Sequence, residues 1–217
     1  MRTYDAVIFD LDGTLLDTSE GISRSVGHVI DTLGFEPISD AVMRTFIGPP
    51  IQKSFARVFG MDKERADKAA DMFRNRYKDE DILLARPYEG IFDTIRALSE
   101  ADIKTAVATY KRQDYAEKIL KHFGFDKVCA AMCGSDAEGI LTKNDIILNA
   151  AKELGVTDIK RAVMVGDSDN DALGAADSHI PFIGVTYGFG FATKEDVDAY
   201  PNIGIADRPE DILGIVL

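Results

Sequence analysis

Short apolar runs alternating with helical stretches constrain this chain more than any other feature. The runs are AVIFD (6–10), KTAVAT (104–109), KVCAAMC (127–133), RAVMVGD (161–167) and PFIGVTY (181–187), with a weaker one, IGIA, at 203–206. Runs without polar alternation mark strands buried on both faces. Between the later ones lie DYAEKILKHFGF (114–125), TKNDIILNAAKELG (142–155) and the shorter NDALGAAD (170–177). The first carries Tyr115, Ile119, Leu120 and Phe123 at helical spacing, and the second has Thr142 to cap its start and Gly155 past its end. Strand, helix, strand, helix predicts an α/β fold, a parallel sheet covered on both faces.

The alternation breaks once. From residue 17 to about 86 no strand pattern appears. TSEGISRSVGHVIDTLGF (18–35) places Ile22, Val26, Val29, Ile30 and Leu33 on one helical face. DAVMRTFIG (40–48) and PIQKSFARVFG (50–60) read as shorter helices, and DKERADKAADMFRNRYKDE (62–80) as a long charged one. A structureless loop of this length is uncommon inside a compact domain, so an all-helical insert is expected. The chain therefore divides into an α/β core, 1–16 with 87–217, and a helical cap domain, 17–86. ARPYEG (85–90) has the Pro and Gly of a returning linker.

Ligands of doubly wound sheets bind at the carboxyl ends of the strands, and those ends carry the chemistry here. The first run closes on Asp10-Leu11-Asp12-Gly13-Thr14, the second on Thr109-Tyr110-Lys111, and the fourth on Gly166-Asp167-Ser168-Asp169-Asn170-Asp171. Each alone has a plain structural reading as a turn, a helix cap or a strand residue. Lys143 alone would be a solvated lysine, poorly placed for the dipole at a helix start. Together they describe a site for a metal and an anion. Several oxygen ligands converge without Cys or His, which favours Mg²⁺ over zinc. Such an ion relieves the repulsion between Asp10 and its neighbours, while Lys143 and Thr109 are placed to hold the oxygens of a phosphate.

Composition narrows the partners. A net charge of −12 works against nucleic-acid backbones but not against a small anion met by a metal ion and a lysine. No apolar run reaches the roughly 20 residues of a membrane helix, and the first residues lack the pattern of a secretory leader. A cytoplasmic protein acting on a small molecule, with no nucleic-acid or membrane partner, is expected; oligomeric state, monomer or homodimer, is not legible. Cys129 and Cys133 match no zinc or redox spacing and are expected to be reduced and buried.

These residues resemble the motifs of the haloacid dehalogenase superfamily, in order and over essentially the whole chain. They are DxDGT at Asp10, Asp12, Gly13 and Thr14, a hydroxyl at Thr109, the lysine at Lys143 and the acidic pair Asp167 and Asp171. The resemblance implies a Rossmann-like core and two-step phosphoryl transfer. Asp10 is then the nucleophile, and Asp12 protonates the leaving oxygen and afterwards deprotonates water. Asp10, the backbone carbonyl of Asp12 and Asp167 bind Mg²⁺, with Asp171 as a further ligand or a support. Thr109 and Lys143 bind phosphoryl oxygens, and the backbone N–H groups from Leu11 to Gly13 add donors. An aspartate at position 12 favours phosphatases over dehalogenases, since a halide leaves unprotonated. The chain lacks tryptophan and the cap element of β-phosphoglucomutases. Where many relatives have Asn and then Lys-Pro, it has Tyr110, Lys111 and Arg112, expected to shape the outer pocket or to form a solvated basic helix start.

The pattern resembles a phosphoglycolate phosphatase and 5′-nucleotidase-like branch, partly through GVTYGFG (184–190), which should line the core beside the acidic pair. In the cap, FIGPPIQKSF (46–55) is the candidate substrate segment, with Gly48, Pro49 and Lys53 as contacts. The expected substrate is 2-phosphoglycolate, followed by a nucleoside 5′-monophosphate and pyrophosphate. A receiver-like regulatory domain also gathers aspartates, Thr and Lys around Mg²⁺. It usually lacks both a long helical insert after the first strand and a second aspartate in DxD.

Overall fold

The computed structural model describes residues 3–217. The chain forms two compact units, one through Leu16 with Pro87–Leu217, the other Asp17–Arg86.

The larger unit is built on a six-stranded parallel sheet. In chain order its strands are β1 (Ala6–Phe9), β4 (Lys104–Arg112), β5 (Ala131–Ser135), β6 (Ala162–Gly166), β7 (Phe182–Val185) and β8 (Gly204–Ala206). Two short strands, β2 (Leu16–Asp17) and β3 (Arg86–Pro87), pair separately where the chain leaves and re-enters this unit. The sheet order β5-β4-β1-β6-β7-β8 puts β1 in the middle, with the chain proceeding first to one side and then to the other. That reversal opens a crevice at the carboxyl end of β1. Phe9 is in register with Val107 of β4 and Val165 of β6, so Asp10 stands within about one residue of the level of Thr109 and Asp167.

All four residues of β1 are fully buried, which explains the unbroken apolar run. Ala6 and Ile8 join one core cluster with Ile146, Ile147 and Ala150 of α7 (Lys143–Glu153) and with Ala172 and Ala175 of α8 (Asp169–Asp177). Val7 and Phe9 alternate to the opposite face. There the structure adds a helix, α5 (Ile91–Glu100), with Ile91, Ile95 and Leu98 buried at helical spacing. α6 (Gln113–Phe123) follows β4 and ends at Gly124 in the left-handed conformation. The third strand begins later than expected. Phe125–Lys127 forms a 3₁₀ turn whose Phe125 is fully buried against Phe92, and pairing starts only at Ala131.

The smaller unit contains α1 (Ser19–Leu33), α2 (Asp40–Arg44), α3 (Ile51–Phe59) and α4 (Lys63–Arg76), closed by a π-helical turn, Tyr77–Asp81. Ile22, Val26, Val29 and Ile30 bury one face of α1, while Phe46, Phe55 and Phe59 cluster their rings. Asp81, 1% exposed, ties the turn to α1 and α4: it accepts from Ser25 Oγ at 2.9 Å and Arg76 Nε at 3.0 Å. Two further helices of the larger unit, α9 (Lys194–Asp198) and α10 (Asp211–Val216), complete the chain. Among the described residues no helix is long and apolar enough to cross a membrane.

Candidate active site

The site is assembled from strand ends of the α/β unit. Asp10 follows β1 directly, and its N–H donates to Val165 O at 2.9 Å, continuing the ladder to β6. Its carboxylate is buried and lies 2.6 Å from Lys143 Nζ. Lys143 opens α7, where Thr142 and Asp145 form a capping box. Its N–H donates to Tyr110 Oη at 2.9 Å, and its Nζ also stands 2.6 Å from Asp171 Oδ1. A side chain at Gly174 on α8 would run into the Lys143 stem. The lysine that looked ill placed for a helix start is thus buried, with its charge answered by two carboxylates.

Asp167 and Asp171 are set by the β6–α8 junction. Asp171 Oδ2 accepts from Ser168 N at 3.1 Å and Ser168 Oγ at 2.7 Å, so one carboxylate both caps α8 and faces the site. A side chain at Gly166 would occupy the space of the Asp171 carboxylate. Asp167 Oδ2 accepts from Phe189 N at 2.7 Å and Gly190 N at 3.1 Å. The GVTYGFG segment therefore lies beside the acidic pair and wraps the Asp167 carboxylate. Gly13 (φ +86°) passes so close to Asp167 that no other residue fits, in a left-handed conformation that favours glycine in any case.

Asp10, Asp167 and Asp171 can each offer an oxygen such that all three lie within 4.8 Å of one another. Burial raises the Asp10 carboxyl to about 7, with the Asp171 and Asp12 charges adding to the shift and Lys143 opposing it. Burial also raises Asp167 well above the usual carboxylate range, helped by Asp171 and Asp10 and opposed by the two loop N–H groups. Burial would by itself discharge Lys143, but Asp10 and Asp171 outweigh it and hold the ammonium charged. Three buried carboxylates against one ammonium, with oxygen donors only, fit a hard divalent cation.

The remaining expected residues divide. Thr109 is buried at the end of the regular part of β4, its Oγ1 accepting from Lys111 N at 3.2 Å. Asp12 turns its carboxylate to Lys111, with 3.1 Å between Nζ and Oδ2, and its side chain is not part of the three-acid cluster. Lys111 is therefore not a solvated helix start: its side chain is 7% exposed. Tyr110 supports the backbone of Lys143 with its hydroxyl. Leu11 is fully buried, and its carbonyl accepts the N–H groups of Thr14, Leu15 and Leu16. The N–H of Gly13 donates to Leu16 O at 2.9 Å, closing the turn after β1. Gly48 and Pro49 lie exposed in the turn between α2 and α3, and Lys53 is exposed on the first turn of α3. Both cysteines are free and buried.

Sheet order, crevice and acidic cluster define a class, and comparison with known proteins names it. Residues 7–185 match the haloacid dehalogenase-like hydrolase family, and the chain belongs to it. The chain is 36% identical to a 5′-nucleotidase of Pseudomonas aeruginosa over 86% of its length and 85% of the relative's. It is 34% identical to a phosphoglycolate phosphatase of Agrobacterium fabrum over 92% and 87% of the two chains. Its fold superposes on the crystal structure of a predicted phosphatase from Clostridium acetobutylicum with a TM-score of 0.88 and 33% identity, over 97% and 99%. The protein is a phosphatase of this family.

Proposed function

We propose that the protein is a Mg²⁺-dependent phosphomonoester hydrolase that works through an aspartyl-phosphate at Asp10, with 2-phosphoglycolate as its substrate. The observation that carries this reading is the pairing of two aspartates with two different lysines, Asp10 with Lys143 and Asp12 with Lys111. Separate partners give the two acids separate environments, as a nucleophile and a proton carrier require.

In the first step Asp10 forms a bond to phosphorus as the bond to the leaving oxygen breaks, and Asp12 gives that oxygen its proton. In the second step water attacks the phosphorus of the aspartyl-phosphate. Asp12 takes a proton from the water, and inorganic phosphate departs with Asp10 restored. Lys143 keeps Asp10 ionised for attack and, with Thr109, holds phosphoryl oxygens. Asp10, Asp167 and Asp171, with the Asp12 carbonyl, would hold Mg²⁺, which would supply positive charge against the phosphoryl group. Gly48, Pro49 and Lys53 of the helical unit are the proposed substrate contacts outside the core.

The similarity to a phosphoglycolate phosphatase supports the substrate. A nucleoside 5′-monophosphate is the second reading, favoured by the similarity to a 5′-nucleotidase. Phosphate release from 2-phosphoglycolate, nucleoside monophosphates, sugar phosphates and pyrophosphate, with and without Mg²⁺, tests both. A preference of about 100-fold in kcat/KM, roughly 2.7 kcal/mol of transition-state discrimination, identifies the substrate. Turnover that persists without divalent metal, or in Asp10→Asn, refutes the mechanism.

A further inference from the structure

Lys111 has no role in the steps above, yet four features of the α/β unit converge on its placement. The β4–β5 register breaks between Ala108 and Arg112: β4 advances from 108 to 112 while β5 advances only from 133 to 135. Extra residues in one strand form a bulge, which re-aims side chains. The Gln113 side chain bridges to β5 next to the bulge, its Nε2 donating to Met132 O at 3.0 Å and its Oε1 accepting from Gly134 N. Gly134 permits this approach, since a Cβ there would lie 2.6 Å from Lys111 O. Thr109 Oγ1 accepts from Lys111 N and closes the turn from within. The outcome is a lysine whose side chain is 7% exposed, 3.1 Å from an Asp12 carboxylate that is 12% exposed.

A lysine on a helix-start sequence would ordinarily extend into water, where a salt bridge contributes little. Confining both partners costs side-chain entropy and desolvation, and it fixes the Asp12 carboxylate in one orientation. We propose that Lys111 is a positioning residue that holds Asp12 for proton transfer to the leaving oxygen, with Gln113 and Gly134 keeping the bulge that aims it. Fixing Oδ2 determines where the other carboxylate oxygen points. A carboxyl in either protonation state accepts from an ammonium, so the contact survives while the proton on the other oxygen is handed over. Each of the two neighbouring acids thus has its own lysine to fix its orientation, and they do not compete for one cation.

This proposal rests on the phosphatase reading, and the choice of leaving group separates the two. An aryl phosphate such as p-nitrophenyl phosphate expels a stable phenolate that needs little protonation, whereas an alkyl phosphate such as glycerol 3-phosphate or 2-phosphoglycolate needs a proton. With Mg²⁺ present, Lys111→Met is expected to lower kcat on the alkyl phosphate by about 100-fold, the lower range for loss of general acid catalysis. The fall on p-nitrophenyl phosphate is then at most a few-fold, and KM for either changes little. Asp12→Asn should show the same selectivity, and Lys111→Arg should recover part of the alkyl rate. Gln113→Ala, which keeps the lysine but loosens the bulge, should show a smaller selective loss and carries the test if Lys111→Met fails to fold. An equal fall on both substrates, or no fall on either, overturns the positioning role while leaving the phosphatase intact. Hydrolysis of neither substrate by the unsubstituted protein overturns both.

Discussion

Replacing Lys143 by Met removes the ammonium that pairs with two acids of the three-acid cluster while preserving the length of the side chain. In the native site one ammonium lies 2.6 Å from both Asp10 and Asp171, with Asp167 close by. Removing one partner of a buried ion pair costs about 3–5 kcal/mol, because the other charge is left buried and uncompensated. For a chain of this size each kcal/mol shifts Tm by roughly 2–4 °C, so metal-free Lys143→Met at pH 8 should melt about 6–20 °C lower. Added Mg²⁺ would replace the missing positive charge, so it should raise Tm more in the variant than in the unsubstituted protein. Thermal unfolding followed by circular dichroism, in chelator and across a Mg²⁺ titration, measures both quantities. A loss under about 1 kcal/mol in chelator, or an equal Mg²⁺ shift in both proteins, would refute the idea that lysine and metal neutralise the same carboxylates. Turnover should be lost in the variant even where Mg²⁺ restores its stability, since Asp10 and the phosphoryl group lose their ammonium.

Other regions make independent predictions. Gly166→Ala places a methyl group in the space of the Asp171 carboxylate; overpacking of this kind costs about 1–3 kcal/mol, and urea denaturation with a Mg²⁺ titration should show lower stability and weaker metal binding together. Asp136 accepts from Leu141 N at 3.0 Å and Ile140 N at 2.9 Å, and the Leu141 bond leads in holding its carboxyl below the ordinary 3.8. A lowered carboxyl stabilises the fold above its unfolded value and loses that contribution as pH falls through its folded value, so Asp136→Asn should flatten the acid limb of a stability–pH curve below about pH 4. Burial pushes the Cys129 thiol up to about 11 and the Cys133 thiol up to about 12. A thiol-disulfide reagent at pH 8 should therefore label neither in the folded protein and both in denaturant, and prompt labelling of the native protein contradicts the burial.

Strands that are buried on both faces were readable in the sequence because their apolar runs need no context: β1, β4, β6 and β7 lie where those runs fall. The acids at their ends were readable as well, since an aspartate after a buried strand has few structural reasons to be there. α5 carries its apolar pattern at Ile91, Ile95 and Leu98 but starts at Gly90 with no side-chain cap, so nothing local marks where it begins. Lys111 was beyond local reading. Whether it meets water or Asp12 depends on a bulge that Gly134 permits from the neighbouring strand. The N–H of Gly13 shows the same limit on a smaller scale, since only the closed turn reveals Leu16 O as its acceptor. Local pattern located the chemistry, and the pairing of side chains within it required the tertiary structure.

The central position of β1 also bears on how the molecule is made. Its sheet neighbours, β4 and β6, begin at Lys104 and Ala162, so the strand that carries Asp10 is synthesised long before either edge can be paired. The contact between Lys143 and Asp10 spans 133 residues. Such long-range parallel pairing is slow to form, and an unpaired apolar strand is prone to aggregate while it waits. A nascent chain also gathers its three clustered acids only after β6 and α8 have emerged, so the three-acid cluster closes late in synthesis.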